Sequence, residues 1–307
     1  MGGERAFTDR LGAWFGSPPG ARVPIGDDAA VVRNRGRESV LCCDPVIAGV
    51  HFEPGTDLRL VGRKAVNRNL ADLAAMGAVP DWLLVSLLLP QGTPPLARRR
   101  LLLGLRAAAR AGGCAVVGGD VAATPGPLTV TVTAIGHLPG QALRRSGARA
   151  GDSLHVTGPL GASRLGHHLT FQPPLAAGRW LARPGMPVGA AIDVSDGLLL
   201  DLWTVLRASG GLGAELFADA VPVRSAARRA ARGDRQQALR SAFGDGEDHE
   251  LLFTVRRGRA LPAGGPLAAR VRRPIGRVIA TPGLWLVDGA TRRRLRPVGH
   301  EHDLAAS

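Results

Sequence analysis

Carboxylate side chains beside glycines are the feature of this sequence with the clearest chemical meaning. The chain has 25 Asp and Glu residues in 307, and many of them follow a glycine or an apolar run. The members of this set are Asp27 and Asp28 after Gly26, Asp44, Asp72, Asp120 after Gly118-Gly119, Asp193 and Asp196 around Ser195, and Glu247-Asp248 after Gly246. Glycines let the backbone approach a ligand closely and expose N–H groups to anionic oxygens.

Three of these aspartates, Asp44, Asp120 and Asp193, are predicted to close apolar strands, and strand ends are where ligands of α/β proteins bind. Carboxylates that converge without a basic partner repel one another, and burial magnifies that repulsion. Mg²⁺ relieves it, because this ion prefers oxygen ligands and bridges carboxylates to phosphates. The set therefore predicts magnesium-assisted phosphoryl transfer, in which positioning and charge neutralisation carry most of the catalysis.

Each motif also has a purely structural explanation. A Gly-Asp-Asp sequence is typical of a turn, and Asp196 could be the N-cap of the helix that follows it. Asp72 could face solvent, and Glu247-Asp248 could cap a loop. It is the joint occurrence of the motifs that favours a functional site.

Other nucleotide-binding signatures do not occur in the sequence. A P-loop needs Gly-Lys followed by Ser or Thr, whereas Lys64 stands between Arg63 and Ala65. There is no His-Arg-Asp or Asp-Phe-Gly set of a protein kinase, and no Rossmann fingerprint follows a predicted strand. The segment Gly158-Pro-Leu-Gly161 is only a weak candidate for a phosphate loop.

The apolar patterning predicts a mixed α/β fold in two halves. In the first half, the predicted elements are helices over 58–76 and 96–111, with Asp57 as the first N-cap, and strands over 82–89, 114–117 and 128–135. In the second half, they are strands over 153–157, 190–194 and 250–255 and a helix over 197–209. Because a Gly-, Arg- and Pro-rich stretch over 136–152 separates the halves, we expect two domains, residues 1–140 and 141–307.

The formal net charge of +14 invites a nucleic-acid interpretation. Lys64 is the only lysine, however, and the rest of the 39 Lys and Arg residues are Arg. This is expected when a GC-rich genome encodes Arg in place of Lys at ordinary surface positions. The Arg runs have no interleaved aromatic residues and the chain has no Tyr, so the stacking platform that bases need is missing. We expect no nucleic-acid partner, although the positive field could steer phosphorylated substrates.

Signals for membrane insertion and export are not evident. The longest apolar run, over 82–89, is much shorter than the roughly eighteen residues that span a bilayer. The first ten residues carry charges of both signs and lack the apolar segment of a signal peptide. We therefore expect a cytoplasmic protein without a membrane partner, in which Cys42, Cys43 and Cys114 are reduced thiols.

Taken in chain order, the motifs resemble the thiamine-monophosphate kinase family, of the superfamily that includes aminoimidazole ribonucleotide synthetase and selenophosphate synthetase. The matching segments are IGDDAAVV at 25–32, DPVIAGVHF at 44–52, KAVNRNLADLAAMGAVP at 64–80, GGD at 118–120, RRSGARAGDSLHVTGPLGAS at 144–163, AIDVSDGLLLDL at 191–202 and GEDHELLFTV at 246–255. The resemblance spans nearly the whole chain. It implies the two-domain α/β (α+β) fold of that superfamily, with ATP and Mg²⁺ in a cleft between the domains and a homodimer joined through the N-terminal sheets.

The resemblance also assigns roles by position. It implies that the metal ligands are Asp27, Asp28, Asp44, Asp72, Asp120, Asp193 and Asp196, of which Asp28, Asp72, Asp120 and Asp196 are expected to be catalytic. The implied nucleotide contacts are Gly119, Asp120, Arg145 and Ser195, and the implied substrate contacts are His51, Glu247 and His300. The family moves the γ-phosphoryl group of ATP onto the phosphate of thiamine monophosphate, and because that acceptor is already ionised, metals rather than a strong base are needed.

Departures from the family pattern concentrate on the acceptor side. Cys42-Cys43 stands where the family shows Ser-Thr, Val121 where it shows Thr, and His249 where it shows Tyr. His300 occupies the region in which an aromatic residue lies against thiamine, and imidazole stacks less extensively than a larger ring. Two alternatives stay open: a paralogous ATP-dependent kinase or synthetase with a different small-molecule acceptor, and a nucleotide-binding regulator without turnover.

Overall fold

The computed structural model describes residues 21–23, 30–34, 37–267 and 273–301, which form two β-sheets and the helices around them. The first sheet has the strand order β1-β2-β3-β6-β4-β5. Its strands are β1 (Ala21–Val23), β2 (Ala30–Asn34), β3 (Arg37–Ile47), β4 (Val79–Pro90), β5 (Ala115–Thr124) and β6 (Thr129–His137). Neighbouring strands are antiparallel except for the parallel pair β4 and β5.

Two long helices, α1 (Leu58–Ala75) and α2 (Pro95–Gly112), pack on one face of this sheet. Asp57 is the N-cap of α1, as predicted, because its carboxylate accepts a hydrogen bond from the Arg59 backbone N–H at 3.0 Å. The two helices come very close at Gly104, where a Cβ atom would lie 2.0 Å from the Arg59 carbonyl oxygen. The absence of a side chain at Gly104 is therefore what allows α1 and α2 to cross at this distance.

The strands of the first sheet alternate between the face under the helices and an open face. In β4, Leu83 and Val85 are buried, whereas Trp82, Leu84 and Leu88 are exposed. The same alternation in β6 confirms the half-buried strand predicted over 128–135. The open face is thus apolar along β4, although it lacks a covering layer from the described part of the chain.

The second sheet follows the connection over 138–152 and has the order β13-β12-β9-β11-β7-β10-β8. Its strands are β7 (Ser153–Val156), β8 (Val188–Asp193), β9 (Gly213–Phe217), β10 (Leu251–Val255), β11 (Gly276–Ile279), β12 (Gly283–Asp288) and β13 (Thr291–Leu295). The helices of this half are α3 (His167–Thr170), α4 (Leu175–Leu181), α5 (Leu198–Ala208), α6 (Ser225–Ala230) and α7 (Arg235–Gly244), preceded by a 3₁₀ turn, Ser163–Leu165. The apolar side chains of α5 and α7 contribute to a separate buried core with this sheet.

Helix α1 also connects the two halves. Asn67 donates through Nδ2 to the Phe171 carbonyl oxygen at 2.7 Å, and Arg63 donates to the same oxygen at 3.3 Å. Near the end of α1, Ala74 shares a buried apolar cluster with Trp180 of α4 and with residues of β10. The helix is thereby packed against both halves, and the division into domains at residue 140 stays a proposal.

Two expected strand ends are wrong. The sequence predicts that β5 stops before Gly118-Gly119-Asp120, but the strand continues through this motif because it pairs with β4 as far as Thr124. Asp44 likewise lies inside β3, which keeps pairing with β6 beyond it. Asp193 is the last residue of β8, as predicted. In the described ranges, no helix has both the length and the apolar character needed to cross a membrane.

Candidate active site

A narrow cleft of about 70 Å³ lies where the two halves of the chain meet. Its walls are formed by Val50, His51, Arg68, Arg164, Ser195, Asp196, Asp245, Glu247, His249 and His300. Five of the residues predicted from the sequence are in this set: His51, Ser195, Asp196, Glu247 and His300. The structure therefore brings the expected substrate contacts to the same place as the Ser195-Asp196 motif.

The turn between β8 and α5 presents Ser195 and Asp196 to the cleft. Helix α5 begins after Gly197, and the Asp201 carboxylate accepts hydrogen bonds from the backbone N–H groups of Asp196 and Gly197, each at 3.1 Å. Capping of α5 is thus performed by Asp201 from inside the first turn of the helix. The structural explanation of Asp196 as an N-cap is wrong, and its position in the cleft wall is what the structure shows.

The loop over 245–249 has an unusual backbone that aims Glu247 at the cleft. Glu247 and His249 have φ values of 54° and 51°, in the left-handed region that side chains other than glycine seldom adopt. The Glu247 N–H donates to the Ser195 carbonyl oxygen at 2.6 Å, and the Glu247 carbonyl oxygen accepts from the Ser163 hydroxyl at 2.6 Å. Such conformations persist where surrounding contacts enforce them, often at functional sites.

Asp248, the next residue, points away from the cleft. Its two carboxylate oxygens share the proton of the Gly161 N–H, each at 3.0 Å from the nitrogen, and Oδ1 also accepts a hydrogen bond from Arg224 at 3.0 Å. Burial raises the pKa of the Asp248 carboxyl to about 6, although the Gly161 N–H and Arg224 oppose the shift. The loop-capping explanation therefore holds for Asp248, whereas Glu247 belongs to the cleft.

Two histidines from distant parts of the chain face the same cleft. His51 lies in the turn after β3, and its Nδ1 accepts a hydrogen bond from the Ile47 N–H at 3.1 Å, so Nε2 carries the ring proton. His300 is held next to Asp196, because its backbone N–H donates to the Asp196 carbonyl oxygen at 2.9 Å. Both residues thus lie in the cleft wall, and their contact with a substrate stays a prediction.

Arg68 of α1 is a site residue that the sequence reasoning missed. Its Nε donates to Asp44 Oδ2 at 3.0 Å, and its side chain is largely buried while lining the cleft. Burial lowers the pKa of Arg68, but Asp44, Asp72 and Glu247 outweigh burial and raise it overall. The idea that the carboxylates converge without a basic partner is therefore wrong, since a guanidinium lies among three of them. Arg68 follows Lys64 by one helical turn, but this spacing does not reveal that its partner is Asp44, 24 residues away.

His249 forms part of the cleft wall and contacts a predicted metal ligand. Its ring stacks on Phe171 with centroids 4.3 Å apart, and its Nδ1 lies 3.2 Å from Asp193 Oδ2. Burial, aided by the positive charge of Arg68, lowers the pKa of His249 to about 3. The ring is therefore neutral and donates from Nδ1 to the carboxylate, and Nε2 has no partner within the described residues.

The predicted metal ligands are only partly brought together. Burial and the charges of Asp72 and Asp44 raise the pKa of the Cys42 thiol well above its usual value, which shows that both carboxylates act on one buried group. Nevertheless, among the residues that the structure describes, no three His, Cys, Asp or Glu side chains lie close enough to hold a metal ion. Asp27 and Asp28 lie outside the described residues, so their predicted role stays a prediction.

Asp120 and Gly119 lie in a different part of the first half. They line a groove of about 660 Å³ between β5 and α2, and Asp120 is exposed. Gly119 has φ of 145°, and a Cβ atom there would lie 1.8 Å from the Val85 carbonyl oxygen. The residues are thus on the edge strand and do not line the cleft.

The main chain at Arg145 is held at the C-terminal end of α5. The Ser209 hydroxyl, at the C-terminal end of α5, contacts the Arg145 carbonyl oxygen at 3.5 Å and accepts from the N–H groups of Gly147 and Ala148 at 3.1 Å. Ser195, by contrast, lies at the beginning of the same helix. The structure does not place Arg145 in the cleft wall, and its predicted contact with the nucleotide stays a prediction.

Comparison with known proteins gives a consistent result. The family model for the N-terminal domain of AIR synthase related protein matches residues 26–138. The thiamine-monophosphate kinase of Rhodopirellula baltica is 38% identical over 318 aligned positions, which cover 99% of each chain. That of Mycobacterium tuberculosis is 36% identical and covers 94% of this chain and 88% of its own. A solved structure described as AaThiL complexed with AMPPCP and TMP matches with a TM-score of 0.84 at 26% identity, covering 98% of this chain and 97% of that one.

The two sheets and the cleft between their halves define an α/β protein of the AIR synthase related class. Within that class, the chain belongs to the thiamine-monophosphate kinase family.

Proposed function

We propose that the protein transfers the γ-phosphoryl group of ATP to the phosphate of thiamine monophosphate, giving thiamine diphosphate and ADP. The observation that carries this proposal is the match over nearly the whole chain to a kinase structure described as a complex with AMPPCP and TMP. The cleft supports it, because five residues expected at the site from the sequence line one narrow space between the two halves.

The cleft residues have roles that follow from their chemistry. The Arg68 and Arg164 guanidinium groups, which both line the cleft, offset the charge of the acceptor phosphate, and guanidinium keeps its proton at any relevant pH. His51 presents an N–H at Nε2 as a donor to the substrate. The Glu247 carboxylate faces the cationic thiamine part of the acceptor. Transfer between two anions is then mainly a matter of positioning and charge neutralisation.

We also propose that Mg²⁺ is the resident cation. The donors fit this ion, since Asp44 and Asp72 supply hard oxygen ligands that both act on the buried Cys42 thiol, and Mg²⁺ is commonly held by one or two carboxylates together with waters and substrate phosphates. Asp193 and Asp196, which flank Ser195 in the sequence, would supply oxygen ligands for a further Mg²⁺. When bound, the ion neutralises charge on the transferring phosphoryl group.

An acceptor panel tests the proposed function and separates it from the alternatives. The purified protein with Mg²⁺ and ATP is given thiamine monophosphate, thiamine or other phosphate monoesters, and products are separated by chromatography. We expect multiple turnovers to thiamine diphosphate with thiamine monophosphate only. ADP release that another metabolite stimulates would favour a paralogous kinase. The departures from the family pattern at His249 and His300 would then explain the different acceptor. ATP binding without turnover of any acceptor would favour a regulator.

We further propose a homodimer joined through the open face of the first sheet. Trp82, Leu84 and Leu88 of β4 are exposed there. An apolar surface of this kind is typical of a protein interface. Partners other than the substrates and a second copy are not proposed, and a cytoplasmic location stays a prediction.

A charge on the open face is expected to break this dimer. Leu84→Glu should change the species measured by light scattering during gel filtration from dimer to monomer, because a buried carboxylate would lie at the interface without a partner. Leu96→Glu on α2 is the matched control, since Leu96 is also exposed but lies on the helix layer. A wild-type monomer, or a Leu84→Glu protein that remains dimeric, would contradict the proposed interface.

A further inference from the structure

Lys64 is unusual in both the sequence and the structure. It is the only lysine of the chain, and every other member of the 39 Lys and Arg residues is Arg. It is also fully buried within α1, at 0% exposure. Because the other 38 of the 39 Lys and Arg residues are Arg, this one lysine indicates a place where an ammonium group fits and a guanidinium group does not.

The contacts of the ammonium group explain this requirement. Lys64 Nζ donates to Glu247 Oε1 at 2.8 Å and Oε2 at 2.6 Å, and also to the His51 carbonyl oxygen. An ammonium group has three donors, and here three acceptors converge on it. A guanidinium group is planar and larger, so it cannot direct three N–H groups at acceptors gathered around one point.

These contacts join the two halves of the chain at the cleft. Lys64 belongs to α1, whereas Glu247 belongs to the left-handed loop of the second half. The backbone of Glu247 is fixed independently, through Ser195 and Ser163. The carboxylate, in contrast, is held by Lys64, and the same ammonium group holds the main chain of His51. Both of these partners line the cleft.

The pKa values of Lys64 and Glu247 respond differently to burial. Burial lowers the pKa of Lys64 to about 8, with Arg68 and Arg164 acting in the same direction, although Glu247 opposes the shift. Burial also acts to raise the pKa of Glu247, but Lys64 outweighs it and the pKa lies below its usual value. The directions differ because Lys64 is completely enclosed near two guanidinium groups, whereas the Glu247 side chain keeps 15% exposure. Other titratable groups near Lys64 in the described part of the chain include His51, His168 and His249.

We propose that Lys64 is a positioning residue, which holds the Glu247 carboxylate and the His51 main chain together across the cleft and thereby sets the affinity for the phosphate acceptor but not for ATP. The proposal rests on the proposed function only for the identity of that acceptor. It concerns a residue that acts through Glu247 and His51, and no direct contact between Lys64 and the substrate is implied.

Steady-state kinetics with both substrates tests the proposal. Lys64→Met removes the ammonium group from a slot of similar length, and we expect KM for thiamine monophosphate to rise at least about tenfold, with KM for ATP nearly unchanged. Arg63→Met is the matched control, because Arg63 also links α1 to the second half but through the Phe171 main chain outside the cleft. It should leave both KM values close to wild type. Equal rises in both KM values for Lys64→Met would overturn the proposal.

The pH profile gives a second kinetic readout that a merely structural role would not move. We expect kcat/KM for thiamine monophosphate to fall above about pH 8 in the wild type, as the Lys64 ammonium group loses its proton. In the Glu247→Gln variant the remaining activity should lack this decline, because the amide does not depend on a charged partner. A wild-type profile identical to that of the variant would count against the proposal.

The single lysine also allows a test that needs no activity. Protein made with ¹⁵Nζ-labelled lysine should give one ammonium resonance, which titrates near pH 8. In Glu247→Gln the midpoint of this titration should move to lower pH, because the carboxylate that raises the pKa of Lys64 is lost. A resonance that titrates near the ordinary lysine value of about 10.4 and does not respond to Glu247→Gln would overturn the proposed contact of Lys64 with Glu247. If the wild type does not turn over thiamine monophosphate, the proposed function fails, and this resonance decides the Lys64 proposal on its own.

Discussion

Replacing Asp72 by Asn is expected to lower kcat by at least about a hundredfold while the protein remains folded. Asp72 lies on α1, where its charge acts on both the Cys42 thiol and Arg68. The amide has nearly the same shape, so packing is kept, but the negative charge that would bind Mg²⁺ is lost. The measurement is initial rate against Mg²⁺ concentration, with thermal unfolding to show that the variant is folded.

Asp81→Asn provides the matched control for this result. The Asp81 carboxylate also has a local partner, since it lies 2.8 Å from His137 Nδ1, but it is on the first sheet and does not line the cleft. Its loss should leave the rate and its Mg²⁺ dependence close to wild type. A near-normal rate of Asp72→Asn at limiting Mg²⁺ would contradict the metal assignment.

The Gly119→Ala substitution is expected to have the largest effect on stability among changes in the predicted nucleotide motif. The added Cβ would lie 1.8 Å from the Val85 carbonyl oxygen, and the φ of 145° is strained for any side chain. Both the steric overlap and the backbone strain must be relieved by separating β5 from β4, at a cost of about 3 kcal/mol. We expect a lower midpoint of thermal unfolding and a loss of binding to a fluorescent ATP analogue.

Gly118→Ala separates this effect from a general sensitivity of the strand. At Gly118 the nearest atom to an added Cβ is the Leu84 Cδ2 methyl group at 3.2 Å, which can move, and φ is not in the left-handed region. The variant should unfold within a few degrees of the wild type and retain analogue binding. If the two alanine variants behaved alike, Gly119 would have no special role in the motif.

The elements that depend on local sequence were predicted well. The helix expected over 58–76 is α1, and its cap at Asp57 is confirmed. The strand expected over 82–89 is the centre of β4. These predictions succeed because the alternation of apolar side chains and the chemistry of a helix cap are set by residues a few positions apart.

The parts that failed depend on contacts between distant residues. The ends of β3 and β5 are set by pairing with β6 and β4, respectively. The apolar runs before Asp44 and Asp120 do not reveal how far this pairing extends. The ion pairs of Lys64 with Glu247 and of Arg68 with Asp44 join residues far apart in sequence. No local pattern predicts such pairs, so the sequence could suggest the acidic set but not its basic partners.

The cysteine pair illustrates how the structure sharpens a departure from the family pattern. The Cys42 thiol donates to the Asn69 carbonyl oxygen at 3.3 Å under α1, and burial keeps its pKa well above the usual value. It is therefore a protonated thiol rather than an additional metal ligand. Cys43 is exposed on the open face, with the Thr133 hydroxyl 3.2 Å from its sulfur. The carboxylates nearby are retained, so phosphoryl transfer needs no ligand from this pair.

The proposal that the protein phosphorylates a phosphate group is tested most directly by ³¹P NMR of a reaction containing protein, Mg²⁺, ATP and thiamine monophosphate. The account predicts that the thiamine monophosphate signal is replaced by the two coupled signals of thiamine diphosphate, with one ADP formed for each diphosphate and no accumulation of inorganic phosphate. Formation of ADP and inorganic phosphate, with the thiamine monophosphate signal unchanged, would contradict it.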